Sequence, residues 1–187
     1  MDAVVTWITG LDIGYIYLAV FLISYIENIF PPFPSDVIVV FAGSVVGLGV
    51  GSAPVTVILA SVGSTLGFLT MYEIGRRVGD RVLETGRIKF ISVELVRKVE
   101  TWFRHWGYWI IVLNRFLAGT RAVVSFGAGV SELRLLPTLS LSLVSAALWN
   151  IILVTLGAAM GANWRDIGSY LSTYSGIVSA VIATTDP

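Results

Sequence analysis

The sequence has no cysteine and one histidine, and only 13% of its 187 residues are charged. Without a thiol, neither a disulfide framework nor a thiolate metal site can form. Soluble domains carry about 25% charged residues. The shortfall, with 56% hydrophobic content and a mean hydropathy of +0.85, predicts an integral membrane protein folded as one domain over 1–187. Lys and Arg are absent from the first 75 residues. The Met1-Asp2 start lacks a basic lead and a small-residue cleavage pattern, so no removable signal peptide is expected. No cofactor, resident metal or nucleic-acid partner is expected.

The basic residues that exist are concentrated. Arg76, Arg77, Arg81, Arg87, Lys89, Arg97, Lys98 and Arg104 fall between 76 and 104, accompanied by four acids, Asp80, Glu84, Glu94 and Glu100. The positive-inside rule places the basic segment 76–105 in the cytoplasm, in a multi-pass protein of the cytoplasmic (inner) membrane. Apolar residues from Val82 to Phe103 alternate with the charges at near-helical spacing, so 78–105 is expected to lie as amphipathic helices in the inner interface.

Proline is sparse, and three of the six lie in Glu27-Asn28-Ile29-Phe30-Pro31-Pro32-Phe33-Pro34-Ser35-Asp36. Prolines so close together stop a helix. The apolar runs on either side, 13–26 and 37–50, span about 21 Å each as helices, short of a hydrocarbon core of about 30 Å. Two half-length helices around a broken, charged tip describe a re-entrant hairpin. Such a break is tolerated at membrane depth only where it lines a cavity or is enclosed by protein. Glycines 47, 49 and 51 with Pro54 predict the turn out of it.

A full span is expected over 55–75, with Ser61, Gly63, Ser64 and Gly67 suited to close helix packing. Glu73 and Arg76 mark its watery end. From Trp106 the hairpin pattern recurs: a short apolar run to Leu113, then Asn114, Arg115 and Arg121, then a short return before Glu132. An uncharged span follows over 135–162, opened by Pro137. Residues 167–185 suggest a last helix. The predicted fold is thus all-α, with two inverted repeats (about 14–77 and 106–162), each a re-entrant hairpin plus a span, joined by the cytoplasmic linker. Transporter sites sit between the broken helices of such repeats.

Four ionisable residues are expected at depth: Glu27 and Asp36 in the first hairpin, Arg115 and Arg121 in the second. One reading is salt-bridge pairing that only holds the hairpins together, although buried pairs stabilise poorly compared with apolar packing. The other is a site. Arginine's planar fork matches phosphate oxygens, and carboxylates removed from water exchange protons nearer neutrality. That set suits binding of a phosphate head group coupled to protonation, with Asn114 and Ser35 adding hydrogen bonds or simply capping helices.

Glu27-Asn28 followed by Pro31-Pro32-Phe33-Pro34-Ser35-Asp36 resembles the signature of the DedA family of membrane proteins, also called the VTT-domain family. The resemblance continues through Tyr72, Gly75 and Arg76, into Asn114-Arg115-Phe116-Leu117-Ala118-Gly119-Thr120-Arg121 with Gly127-Ala128-Gly129, and on to Leu148-Trp149. It covers about 20–162. It implies that Glu27, Asp36, Arg115 and Arg121 are the essential set, with Asn28, Ser35, Asn114, Glu73 and Arg76 in support. It also implies proton-motive-force-dependent translocation of undecaprenyl phosphate, or scrambling of phospholipids as in eukaryotic relatives. Asn114, Ala118 and Ser125 replace the family's Gly and two Pro, so the second hairpin is expected to be broken less sharply.

Three other functions compete. In a proton-coupled cation antiporter the acids carry the cation. In a scaffold the buried charges only fix the fold. An intramembrane lipid phosphatase is the least suited, because His105 lies in the basic linker and no serine has a histidine near it. The protein is expected not to be an enzyme.

Overall fold

The computed structural model of the chain describes residues 12–30, 34–85, 93–116 and 120–163. The described residues are helical, with no strand among them. Seven helices occur there: α1 Ile13–Glu27, α2 Ser35–Gly47, α3 Ala53–Thr85, α4 Val93–Trp106, α5 Trp109–Leu113, α6 Arg121–Val130 and α7 Leu135–Ala162. A short 3-10 turn, Asn114–Phe116, follows α5. The expected lead-in over 1–11, the prolines Pro31 and Pro32, and the last helix over 167–185 lie outside the described residues.

Local chemistry accounts for the helix boundaries. Asp12 caps α1, its carboxylate accepting from Gly14 N at 2.8 Å, as a short acceptor does at an N-terminus. α2 starts beyond the proline cluster and carries Asp36 in its first turn, where the helix dipole favours an anion. Gly49 and Gly51 take φ of +91° and +89°, a left-handed turn that a side chain would disfavour. There Ser52 N donates to Tyr17 Oη at 2.7 Å, tying the mouth of the α1–α2 hairpin. Pro54 is the second residue of α3 and Pro137 the third of α7, inside the first turn where a missing N–H costs nothing.

Two helices are long and apolar enough to cross a membrane: α3 over Ala53–Arg77 and α7 over its whole length. The α7 boundaries agree with the expected 135–162. α3 does not stop near residue 75 but runs to Thr85. Charges at an interface change a helix's solvent, not its hydrogen bonding, and no proline interrupts this stretch. α4 is amphipathic as expected, with Arg97, Lys98 and Arg104 exposed and Phe103 buried. α1, α2 and α6 are shorter apolar helices.

Packing crosses between the two halves of the chain. α2 lies against α7, and α6 lies against α3. Both contacts run through glycine. A Cβ at Gly157 of α7 would strike the carbonyl of Val40, and one at Gly43 of α2 would come within 2.6 Å of the Val154 carbonyl. On the other side Gly129 meets the Tyr72 carbonyl and Gly75 that of Phe126. Such close backbone approach is how helices associate where no hydrophobic force drives them together. Gly63 and Gly67 likewise sit on α1 at Phe21 and Tyr25, the packing role expected of them.

Two apolar clusters result. One joins Ile16, Val20, Val39, Ala42, Ala60 and Val154; the other joins Phe68, Tyr72, Phe103, Ile111, Val124 and Ala128. Along α1, α3 and α7 the buried polar residues fall beyond or between these clusters. Large apolar side chains such as Leu143, Val144, Leu148, Ile151 and Ile152 remain exposed on α7.

Candidate functional site

The helix breaks bring four charged side chains together. Glu27 is the last residue of α1 and Arg121 the first of α6. Each stands at the helix end that disfavours its charge, and they are ion-paired, Arg121 Nη1 to Glu27 Oε2. Arg121 Nη2 also donates to both Asp36 oxygens, at 3.0 and 3.2 Å. Arg121 therefore bridges both acids of the first hairpin. Its Nε is buried and has no hydrogen-bond partner among the described residues.

Arg115 is held differently. It is 6% exposed, and its Nη2 donates to Ser64 Oγ of α3. Among the described residues no carboxylate lies within ion-pair distance of it. Ser64 Oγ also accepts from Asn28 Nδ2 at 2.7 Å, and Asn28 donates to the Ser24 carbonyl at 3.1 Å. The second arginine is thus a buried cation resting on a neutral hydroxyl, with both acids engaged elsewhere. Arg121 Nη2 reaches the Arg115 carbonyl at 3.4 Å, so the two guanidinium-bearing segments adjoin.

The remaining expected residues divide. Ser35 Oγ donates to Glu27 Oε2, and Asn114 Oδ1 accepts from Thr120 Oγ1 at 3.2 Å. Both belong to the cluster, as does Asn28. Glu73 and Arg76 do not. They pair with each other at 3.2 Å, and Glu73 also pairs with Arg77 at 3.4 Å, on the part-exposed surface of α3. Nine residues separate Glu73 from Ser64, about 14 Å along the helix. Asp36 is less enclosed than its partners, its side chain 40% exposed against 5% for Arg121.

Two participants were not singled out as such from sequence. Ser64 had been read as a packing residue. Trp149 Nε1 donates to Asp36 Oδ1 at 3.1 Å, so α7 grips the tip of the first hairpin. One signal pointed to Trp149: a tryptophan in the middle of an uncharged span, not at its interface. Asn150, its neighbour, donates to Ser61 Oγ at 3.1 Å and ties α7 to α3.

His105 is exposed on α4, against Trp106 at 5.3 Å between ring centroids. The described residues hold no group of three or more His, Cys, Asp or Glu that would suit a metal ion.

Residues 33–159 match the VTT domain. An "alkaline phosphatase-like protein" of Lactococcus lactis subsp. cremoris is 37% identical over 172 residues, covering 89% of this chain and 80% of that protein. "Undecaprenyl phosphate transporter A" of Staphylococcus aureus is 30% identical, covering 89% and 84%. The Bacillus subtilis protein of the same name is 27% identical, covering 94% and 85%. No solved structure matches the chain.

Proposed function

The chain belongs to the VTT-domain (DedA) family of membrane proteins, and from that premise we propose that it carries a polyprenyl phosphate, of the undecaprenyl phosphate class, across the cytoplasmic membrane. Two relatives bear the name of undecaprenyl phosphate transporter. The observation that carries the reading is the unequal use of the two arginines. Arg115 is buried and donates to a hydroxyl, with no carboxylate of the described residues at ion-pair distance, while Arg121 is held by both acids.

A phosphate oxygen displaces Ser64 from Arg115, exchanging a neutral acceptor for an anionic one that the guanidinium fork can engage bidentately. Protonation of Glu27 and Asp36 removes the charges that hold Arg121. Arg121 then turns its fork, including the unpartnered Nε, to the same phosphate. The cluster's two acids and two arginines balance to zero when all four are ionised. A phosphate monoester carries about −1.5 to −2, so two protons restore near-neutrality when it binds. Coupling follows from competition for Arg121.

The topology proposed with it has the basic segment in the cytoplasm, the α1–α2 hairpin opening outward, and the hairpin of α5 and α6 opening inward. The exchange of partners, α2 on α7 and α6 on α3, supports an inverted pair of repeats. A groove of ≈ 390 Å³ between Ala53, Pro54, Val57 and Ile58 of α3 and Ile151, Val154 and Thr155 of α7 suits an isoprenoid tail that stays at the lipid boundary. Ser35 beside Glu27 is a poor nucleophile for a phosphatase, because that carboxylate is already bound to Arg121.

The test is binding of undecaprenyl phosphate by purified Arg121→Ala and Glu27→Gln. The proposal expects weaker binding in the first and binding that no longer follows pH in the second. Unchanged binding in Arg121→Ala would favour the cation antiporter, in which the arginines only tune the acids.

A further inference from the structure

The buried hydroxyls of α7 have no part in the site described above. Thr138, Ser142 and Ser145 are all buried, and with Trp149 they fall at i, i+4, i+7 and i+11, one face of the helix. From Thr138 to Trp149 the rise is about 16 Å, half of a hydrocarbon core of about 30 Å. The upper end is fixed chemically, since Trp149 Nε1 donates to Asp36. In the middle Ser145 Oγ donates to the Val112 carbonyl at 2.8 Å, just before the tip of the second hairpin. The lower end is marked by an anomaly. Thr138 is fully buried, and among the described residues its Oγ1 has no hydrogen-bond partner.

That orphan is unusual in this molecule. Thr56, Thr65, Thr70 and Thr101 each donate to the carbonyl four residues back. Thr138 does not, although the Arg134 carbonyl stands in that position and accepts from its amide. A buried polar atom without a partner calls for an explanation, and an ordered water is one of the standard ones. Thr56 is the fourth residue of α3, as Thr138 is of α7. Thr56 is satisfied by Ser52, and the next positions on its face are Ala60 and Gly63, where α7 has Ser142 and Ser145. At those two positions α7 carries hydroxyls where α3 carries none.

We propose that Thr138, Ser142 and Ser145 form a hydrated proton path from the face bearing Glu132 and Arg134 to Asp36. The path rests on the proton-coupled reading above, and its mouth is cytoplasmic in the topology given there. A proton leaving the Asp36 carboxyl passes through water held by these hydroxyls and emerges beside Glu132 and Arg134, both exposed. The other groups facing its ends are Tyr72, whose hydroxyl donates to the Leu133 carbonyl at 2.6 Å, and Glu27, Arg115 and Arg121 at the site. No charged side chain of α5 faces it, because α5 is Trp-Ile-Ile-Val-Leu.

The absence of native cysteine gives a clean test. Thr138→Cys, Ser142→Cys and Ser145→Cys, each in the full chain in proteoliposomes, are exposed to a small charged methanethiosulfonate reagent. Leu143→Cys and Val144→Cys, on the exposed face of α7, serve as lipid-facing controls. The path requires at least Ser142→Cys and Ser145→Cys to react several-fold faster than the controls, from the Glu132 side. It also requires Thr138→Val to slow proton uptake several-fold while leaving undecaprenyl phosphate binding unchanged. Labelling no faster than the controls, or unchanged proton uptake in Thr138→Val, overturns it. Labelling reads the path without reference to transport. The response of the unaltered protein to a pH gradient reads the coupling, so failure of one is not mistaken for failure of the other.

Discussion

At the scale of single residues, the two arginines make opposite predictions. Arg121 neutralises two carboxylates, so Arg121→Met leaves buried negative charge unopposed and should destabilise the protein by about 3–5 kcal/mol. No carboxylate of the described residues lies at ion-pair distance from Arg115, so Arg115→Met should cost less stability than Arg121→Met yet lose lipid-phosphate binding. Thermal unfolding in detergent and a binding assay separate the two effects. Equal destabilisation by both variants would favour a scaffold over a site. Ser64→Ala removes the acceptor shared by Arg115 and Asn28, and should cost about 1–3 kcal/mol for the buried donors left unsatisfied. The four charged residues were legible in the sequence because an ionised group in hydrocarbon is expensive and stands out. Ser64 was not, because a serine costs little in a helix and looks the same whether it packs or accepts. Glu73 and Arg76 stand beside a motif in sequence, but the helix places them about 14 Å from Ser64, apart from the cluster.

At the scale of elements, the glycine contacts decide which helices meet. Gly157 of α7 lies on the Val40 carbonyl of α2, and α2 carries Asp36 in its first turn. Gly157→Ala should separate α2 from α7, lower stability by about 1–3 kcal/mol, and weaken the grip of Trp149 on Asp36. A drop in unfolding temperature with reduced transport is the expected reading; unaltered stability would contradict the packing. Hydropathy made α1, α2 and α7 legible to within a few residues, since a short or long apolar run maps directly onto a helix. The continuation of α3 to Thr85 was not legible. Its charged residues read as an interface, while helix geometry depends on backbone bonding and persists through the change of solvent. Ser125, where a proline was expected from the family pattern, sits within α6 and donates to the carbonyls of Arg121 and Ala122. Serine keeps the backbone N–H that a proline would lack, so α6 runs through this position without a break.

At the scale of the whole molecule, the two halves share no readable identity, so their relation rested on hydropathy. The crossed packing, each span holding the other half's returning helix, could not be inferred from either half alone. Opposed orientation of the repeats predicts that Pro54→Cys and Arg134→Cys, at the starts of the two spans, react with an impermeant thiol reagent from opposite sides of the membrane. Reaction from one side only would contradict the inverted arrangement. Acids, arginines and lipid are proposed to act in one process, and the direct test is flipping of undecaprenyl phosphate by the purified protein in liposomes, with and without an imposed pH gradient. Flipping that the gradient accelerates is expected, with the acceleration lost in Glu27→Gln. Flipping at the protein-free rate, or flipping indifferent to the gradient, would contradict it.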